Sequence, residues 1–126
     1  MPNNIVVVES VSKFLDKLIT MKEQAFVARR IELLKEMGND LGPPHTEKVR
    51  GKLRELRFTC NKKYIRLFYF SPQQGQLIIV HGIAKKSNKI PEQDIETALR
   101  RMNDYVIGIP REAVHWDILS EVLFTR

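Results

Sequence analysis

The chain has 126 residues, 43% of them hydrophobic, a formal charge of +6 at pH 7 and one cysteine. That length predicts one domain that buries its core without staples, and a lone Cys60 excludes an internal disulfide. The positive charge points to an anionic partner, whether nucleic acid, an acidic protein or an anionic membrane surface, and no apolar run is long enough to span a bilayer.

The first residues, MPNNIVVVESVSKF, carry no basic region ahead of their short apolar run, so no signal peptide is expected. With the single thiol, this fits a cytoplasmic protein. Ile5 to Val8 is rich in β-branched residues and predicts a strand. A helix follows from Val11 to Ile19, with Val11, Phe14, Leu15 and Leu18 on one face and Ser10 as its N-cap. A second runs from Lys22 to Met37, striped by Val27, Ile31 and Leu34 and stopped by Gly38. The Gly- and Pro-containing segment GNDLGPPHTEK predicts a loop.

Three strands come next: Leu53 to Cys60, Tyr64 to Phe70 and Leu77 to Ala84. Asn61-Lys62-Lys63 and the turn SPQQG at 71–75 link them. A third helix starts at Pro91, as its first helical residue, and ends near Tyr105. Gly108 breaks it, and Pro110 opens a last helix with Val114, Ile118 and Val122 on one stripe. The expected architecture is α+β: a small antiparallel sheet of three to four strands, two N-terminal helices packed on one face, and C-terminal helices. Residues 1–126 form one domain in this reading, with 106–126 as a C-terminal extension whose helix covers part of the sheet's free face or meets a partner.

The densest signal lies between residues 47 and 66, EKVRGKLRELRFTCNKKYIR, where eight basic residues face two acidic ones. Alternation puts Leu56 and Phe58, Ile65, Leu67 and Tyr69, then Ile78 and Val80, on a core side. Glu55, Arg57, Tyr64, Arg66, Phe68, His81 and Lys85 fall on the other. Arginines fixed on a sheet suit phosphate, because each guanidinium fork binds two oxygens at once. Arg57 has a structural alternative in Glu47 or Glu55. Lys48, Arg50, Lys52, Arg54, Lys62, Lys63, Lys86 and Lys89 surround this face and are candidate RNA-backbone contacts. No Cys/His spacing resembles a metal site, and no cofactor is implied.

Several segments carry a family resemblance: Glu55-Leu56-Arg57, Arg66-Leu67-Phe68-Tyr69, His81-Gly82, Lys85-Lys86, Pro91, Ala98-Leu99-Arg100-Arg101 and the turn Leu41-Gly42-Pro43-Pro44. Together they resemble the RelE/ParE toxin superfamily, in its HigB-type, phage-derived Gp49-like branch, over about residues 11–105. Ile83 stands where an aromatic is usual, and the tail from Val106 extends past the usual core. The resemblance implies a RelE-like fold and the toxin of a type II toxin–antitoxin pair. It further implies ribosome-dependent, metal-independent mRNA cleavage and a cognate helix-turn-helix antitoxin that holds the toxin in a hetero-oligomer. A non-enzymatic ParE-like inhibitor of DNA gyrase is the alternative from another class, and a plain RNA-binding regulatory module is a third.

Metal-free RNA cleavage needs a base for the 2′-hydroxyl, cations for the phosphorane and an acid for the leaving 5′-oxygen. The sequence offers Arg57 and Arg66 as clamps, with His81 and Lys85 as proton-transfer groups. Lys86 or Tyr69 would assist, although Tyr69 reaches that face only through a bulge. His45, His115 and Trp116 read as structural.

Overall fold

The structure, a computed structural model, describes residues 2–18, 21–108 and 113–124. Its elements are β1 (Asn4–Val8), α1 (Glu9–Asp16), α2 (Met21–Met37), a 3-10 turn (Gly38–Asp40), β2 (Thr46–Arg50), β3 (Leu53–Cys60), β4 (Lys63–Gln73), β5 (Gln76–Lys85), α3 (Glu92–Val106), β6 (Ala113–His115) and α4 (Trp116–Phe124). The fold is α+β as expected, but the sheet has six strands in the order β2-β3-β4-β5-β1-β6 and is mixed, because β1 runs parallel to β5. The two additional strands escaped the sequence reading for physical reasons. Edge strand β2, TEKVR, exposes Glu47 and Lys48 and has no apolar alternation. β6 is three residues long, too short to show a period.

Helices cover both faces, and α3 rather than the last helix lies on the second. α1 packs on β5 and β1, α2 on β3, and α3 crosses β5, β4 and β3 from the other side. Val11 and Leu15 of α1, and Val27, Ile31 and Leu34 of α2, are buried at the spacing that predicted them. α1 follows β1 directly: Val8 precedes it without a side-chain cap, and Ser10 lies inside the helix. Ile19 and Pro110 fall outside the described residues. Pro91 is the extended residue before α3, not its first turn. Gly38 ends α2 at φ +56°, and a Cβ there would run into the Asn3 side chain. At Gly82 a Cβ would come within 2.7 Å of the Phe14 ring, so glycine sets how closely α1 approaches the sheet.

A bulge corrects the face assignment on β5. Phe68 lies opposite His81 but Tyr69 lies opposite Ile79, so Val80 is an extra residue. The phase shifts, and Ile78 pairs with Phe70 under α3 while Ile79 joins Tyr69. The irregularity is in β5 and not β4, so Tyr69 stays fully buried on the side of Leu67.

The last helix also departs from expectation. Val114 belongs to β6, and Ile118 and Val122 are more than half exposed, whereas Trp116, Leu119 and Leu123 are buried. These three seat α4 on β1 and α2, where the Trp116 indole N–H donates to Glu32 Oε1 at 2.8 Å and Lys35 pairs with Asp117 at 2.7 Å. The tail therefore packs within the chain, but it is α3 that covers Phe70 on the sheet's other face, through Tyr105 at 6.0 Å.

Candidate functional site

Register builds the site. Arg57 on β3 lies directly opposite Arg66 on β4, Glu55 opposite Phe68, and Tyr64 opposite Lys85. Cross-strand partners share a face, so the expected grouping holds. That face is less open than expected. Arg66 is only 4% exposed. Its Nη2 donates to the Asn88 backbone oxygen at 2.8 Å and to Asn88 Oδ1 at 2.6 Å, and its Nε lies 3.4 Å from Glu55 Oε2. Arg66 thus carries part of the interior although alternation assigned it to the side opposite the core.

Glu55 is as deeply buried, and burial pushes its carboxyl above the usual range while Arg66 and Arg57 pull it back. Arg57 remains accessible. Its side chain is 37% exposed, pairs with Glu47, donates from Nε to the Pro44 oxygen at 3.3 Å, and stands 3.8 Å from Glu55. Two hollows meet at Arg57, Arg66 and Asn88. One, of about 500 Å³, extends towards Arg30, His45 and Tyr64. The other, of about 370 Å³, extends towards Glu55, Lys48 and Ile90.

His81 shares the sheet face but not the hollows. Its ring stacks on Phe68 at 5.7 Å. Arg101 Nη1 approaches Nδ1 at 2.9 Å, and Nε2 lies 2.8 Å from Asp94 Oδ1. A guanidinium only donates, so Nδ1 accepts and the neutral ring carries its proton on Nε2, directed at Asp94. Burial lowers the imidazole below its ordinary value, with Arg101 and Lys85 adding to that and Asp94 opposing it. Both nitrogens are engaged with α3.

The remaining basic residues scatter. Lys85 and Lys89 border a separate depression beside Pro91 and Glu92. Arg50 forms a two-pronged ion pair with Glu92 at 2.7 and 3.2 Å. Arg54 pairs with Tyr69 in register and so faces away from Arg57. Lys62 lies in the β3–β4 turn, and Lys63 begins β4, where it approaches buried Glu23 at 3.7 Å. Lys52 and Lys86 are exposed in turns, and Lys48 borders the smaller hollow. His115 Nδ1 lies 2.9 Å from Asn4 Oδ1.

Sequence reasoning gave no role to Asn88, Asp94 or Arg101, and treated Glu55 only as a possible partner of Arg57. Asp94 and Arg101 stand two helical turns apart, a spacing that puts them on one face of α3 and was readable. Asn88 sits in an irregular loop, where no periodicity marks it.

Among the described residues no group of three or more His, Cys, Asp or Glu is disposed to hold a metal ion, and no helix is long and apolar enough to cross a membrane. The fold and site are those of a basic α+β domain with a helix-flanked sheet and a cleft bordered by two arginines. Residues 13–103 match the family described as phage-derived protein Gp49-like (DUF891), and the chain belongs to that family. It is a toxin-like family of toxin–antitoxin systems, for which a protein antitoxin is the consistent partner. No curated protein matches the chain significantly.

Proposed function

We propose that the chain is the toxin of a type II pair, of RelE/HigB kind, and that it cuts mRNA held on the ribosome until a helix-turn-helix antitoxin silences it. One observation carries this reading: the two hollows meet where accessible Arg57 faces buried Arg66, with the buried Glu55 carboxylate beside both, its Oε2 3.4 Å from Arg66 Nε. In the proposed reaction Arg57 binds the scissile phosphate and Arg66 fixes the geometry of Glu55. Glu55, with its carboxyl raised by burial, takes the 2′-hydroxyl proton. The 2′-oxygen attacks phosphorus, the P–O5′ bond breaks, and Lys85, opposite Tyr64 at the edge of the larger hollow, is assigned the protonation of the departing oxygen. The products are a 2′,3′-cyclic phosphate and a 5′-hydroxyl. His81 serves here by anchoring α3 rather than by moving a proton.

Primer extension on mRNA after brief expression tests this. Cuts within translated messages are expected to accompany growth arrest. Intact mRNA with altered plasmid supercoiling would favour a gyrase inhibitor instead.

A further inference from the structure

The larger hollow exists because the sheet is incomplete at one corner. β2 pairs with β3 only as far as Leu56. The Arg57 N–H then donates to the His45 oxygen at 2.9 Å, and beyond it the described residues place no strand along this edge of β3. Side chains from both sheet faces therefore reach one opening: Phe58 from the α2 side, Arg57 and Tyr64 from the other. Across it, α2 supplies Phe26 and Arg30. The rings of Phe26 and Phe58 lie 5.7 Å apart, and the Arg30 guanidinium sits 5.1 Å from the first ring centre and 6.0 Å from the second. Arg30 also donates to His45 Nδ1 at 3.0 Å, so that ring carries its proton on Nε2 as a hydrogen-bond donor. None of Phe26, Arg30, His45 or Phe58 takes part in the proposed chemistry.

We propose that this hollow is a nucleobase subsite, holding one unstacked base of single-stranded RNA next to the phosphate on Arg57. It rests on the reading of the chain as an RNA-cleaving toxin and adds what that reading lacks, a device for choosing where to cut. Three features select a base over an aliphatic or acidic peptide side chain. Flat guanidinium and ring surfaces offer stacking area. A fixed His N–H and the Arg30 fork offer directional donors to a base edge. A phosphate-binding arginine borders the same opening, as a nucleotide requires.

The test is fluorescence anisotropy with a labelled single-stranded RNA hexamer and a set carrying one abasic residue at each position in turn. Wild-type protein should bind the intact oligomer about tenfold more tightly than the oligomer abasic at one particular position. Arg30→Met keeps the stem over Phe26 and removes the planar charge, and His45→Ala removes the donor on a separate segment. Each should lose most of that difference while remaining folded by circular dichroism. Equal affinity of wild type for intact and abasic oligomers would overturn the proposal, as would a difference that survives in both variants. Binding of an acidic peptide to this corner, with no base-dependent RNA binding, would overturn it in favour of a protein occupant. Mapping cuts on ribosome-bound mRNA separates the two readings. Base-dependent binding with uncut mRNA keeps the subsite and removes the nuclease, whereas cut mRNA with base-independent binding does the reverse.

Discussion

Two polar clusters share the sheet face beneath α3 and the 86–91 loop, and they differ in what they leave unmet. Around His81 every strong hydrogen-bonding atom of the ring is engaged, by Arg101 and Asp94, and Phe68 closes one ring face. Around Arg66, the guanidinium Nη1 is buried without a hydrogen-bond partner among the described residues, Glu55 Oε2 and Arg66 Nε meet each other only in an ion pair at 3.4 Å, and a hollow lined by both residues adjoins them. Buried polar groups are nearly always satisfied, so the exceptions need a reason. A saturated network fixes a helix on a sheet. An unsaturated one beside an accessible arginine keeps donors and acceptors in reserve for a ligand.

The largest expected effect tests whether the Arg66 cluster is as buried as its geometry says. Arg66→Ala leaves the Glu55 carboxylate in the interior without its main partner, and breaking such a pair costs about 3–5 kcal/mol. Urea unfolding should show that loss. Replacing both partners, Glu55→Leu with Arg66→Met, should recover most of it, because two apolar groups of similar volume need no charge compensation. A wild-type midpoint for Arg66→Ala would mean the cluster is open to water and the contrast between the two regions is false.

Arg57 separates function from fold within the same cluster. Its side chain is 37% exposed and borders both hollows. Arg57→Ala should lower mRNA cleavage about a hundredfold, the scale for losing one charged contact to the transition state. Its unfolding midpoint should shift by no more than ~0.5 kcal/mol, as for other surface changes. A parallel loss of stability and activity would return Arg57 to the structural pairing with Glu47.

Acidity distinguishes the clusters by sign. The His81 imidazole is lowered below 6.5, so the folded state binds fewer protons there than the unfolded chain. Its contribution is present above pH 6.5 and is lost as pH falls through the lowered folded value. Glu55 is raised above 4.5, so its contribution is present below pH 4.5 and is lost as pH rises through the raised value. Urea midpoints should fall on acidification from pH 7.5 to 5.5 in wild type and flatten in His81→Gln. Cleavage should instead rise with pH through the raised Glu55 value, and Glu55→Gln should abolish that limb. A rate profile that follows His81 would move it from anchor to catalyst.

Some of this was legible in the chain and some was not. The α2 stripe Val27, Ile31 and Leu34 and the shared face of Arg57 and Arg66 follow from periods of 3.6 and 2, so both were readable. Period carries no information about coverage, however. That the 86–91 loop would bury Arg66 through Asn88 depends on a contact 22 residues away in sequence. The extra residue at Val80 reversed Ile78 and Ile79 because alternation has no memory of a bulge. The last helix misled for a different reason. Trp116, Leu119 and Leu123 compete with Val114, Ile118 and Val122 as stripes of similar apolarity, and only the position of α2 decides between them.

The smallest expected effects belong to the exposed lysines, which enter neither cluster. Lys62 and Lys86 lie on turns with water-facing side chains, so each can add at most a phosphate contact along bound RNA. Such a contact acts by releasing a condensed counterion, and for single strands it steepens log K against log salt by about 0.7. Lys62→Ala or Lys86→Ala should therefore weaken RNA binding uniformly across sequences and shallow the salt slope by roughly that amount. Cleavage at saturating toxin should stay at the wild-type rate, since neither side chain reaches the reacting phosphate. Measuring both quantities on one substrate sharpens the comparison further. A lysine whose removal lowered the saturated rate without changing the salt slope would belong to the reserve of the Arg66 cluster, and the boundary of the open region would have to be drawn to include it.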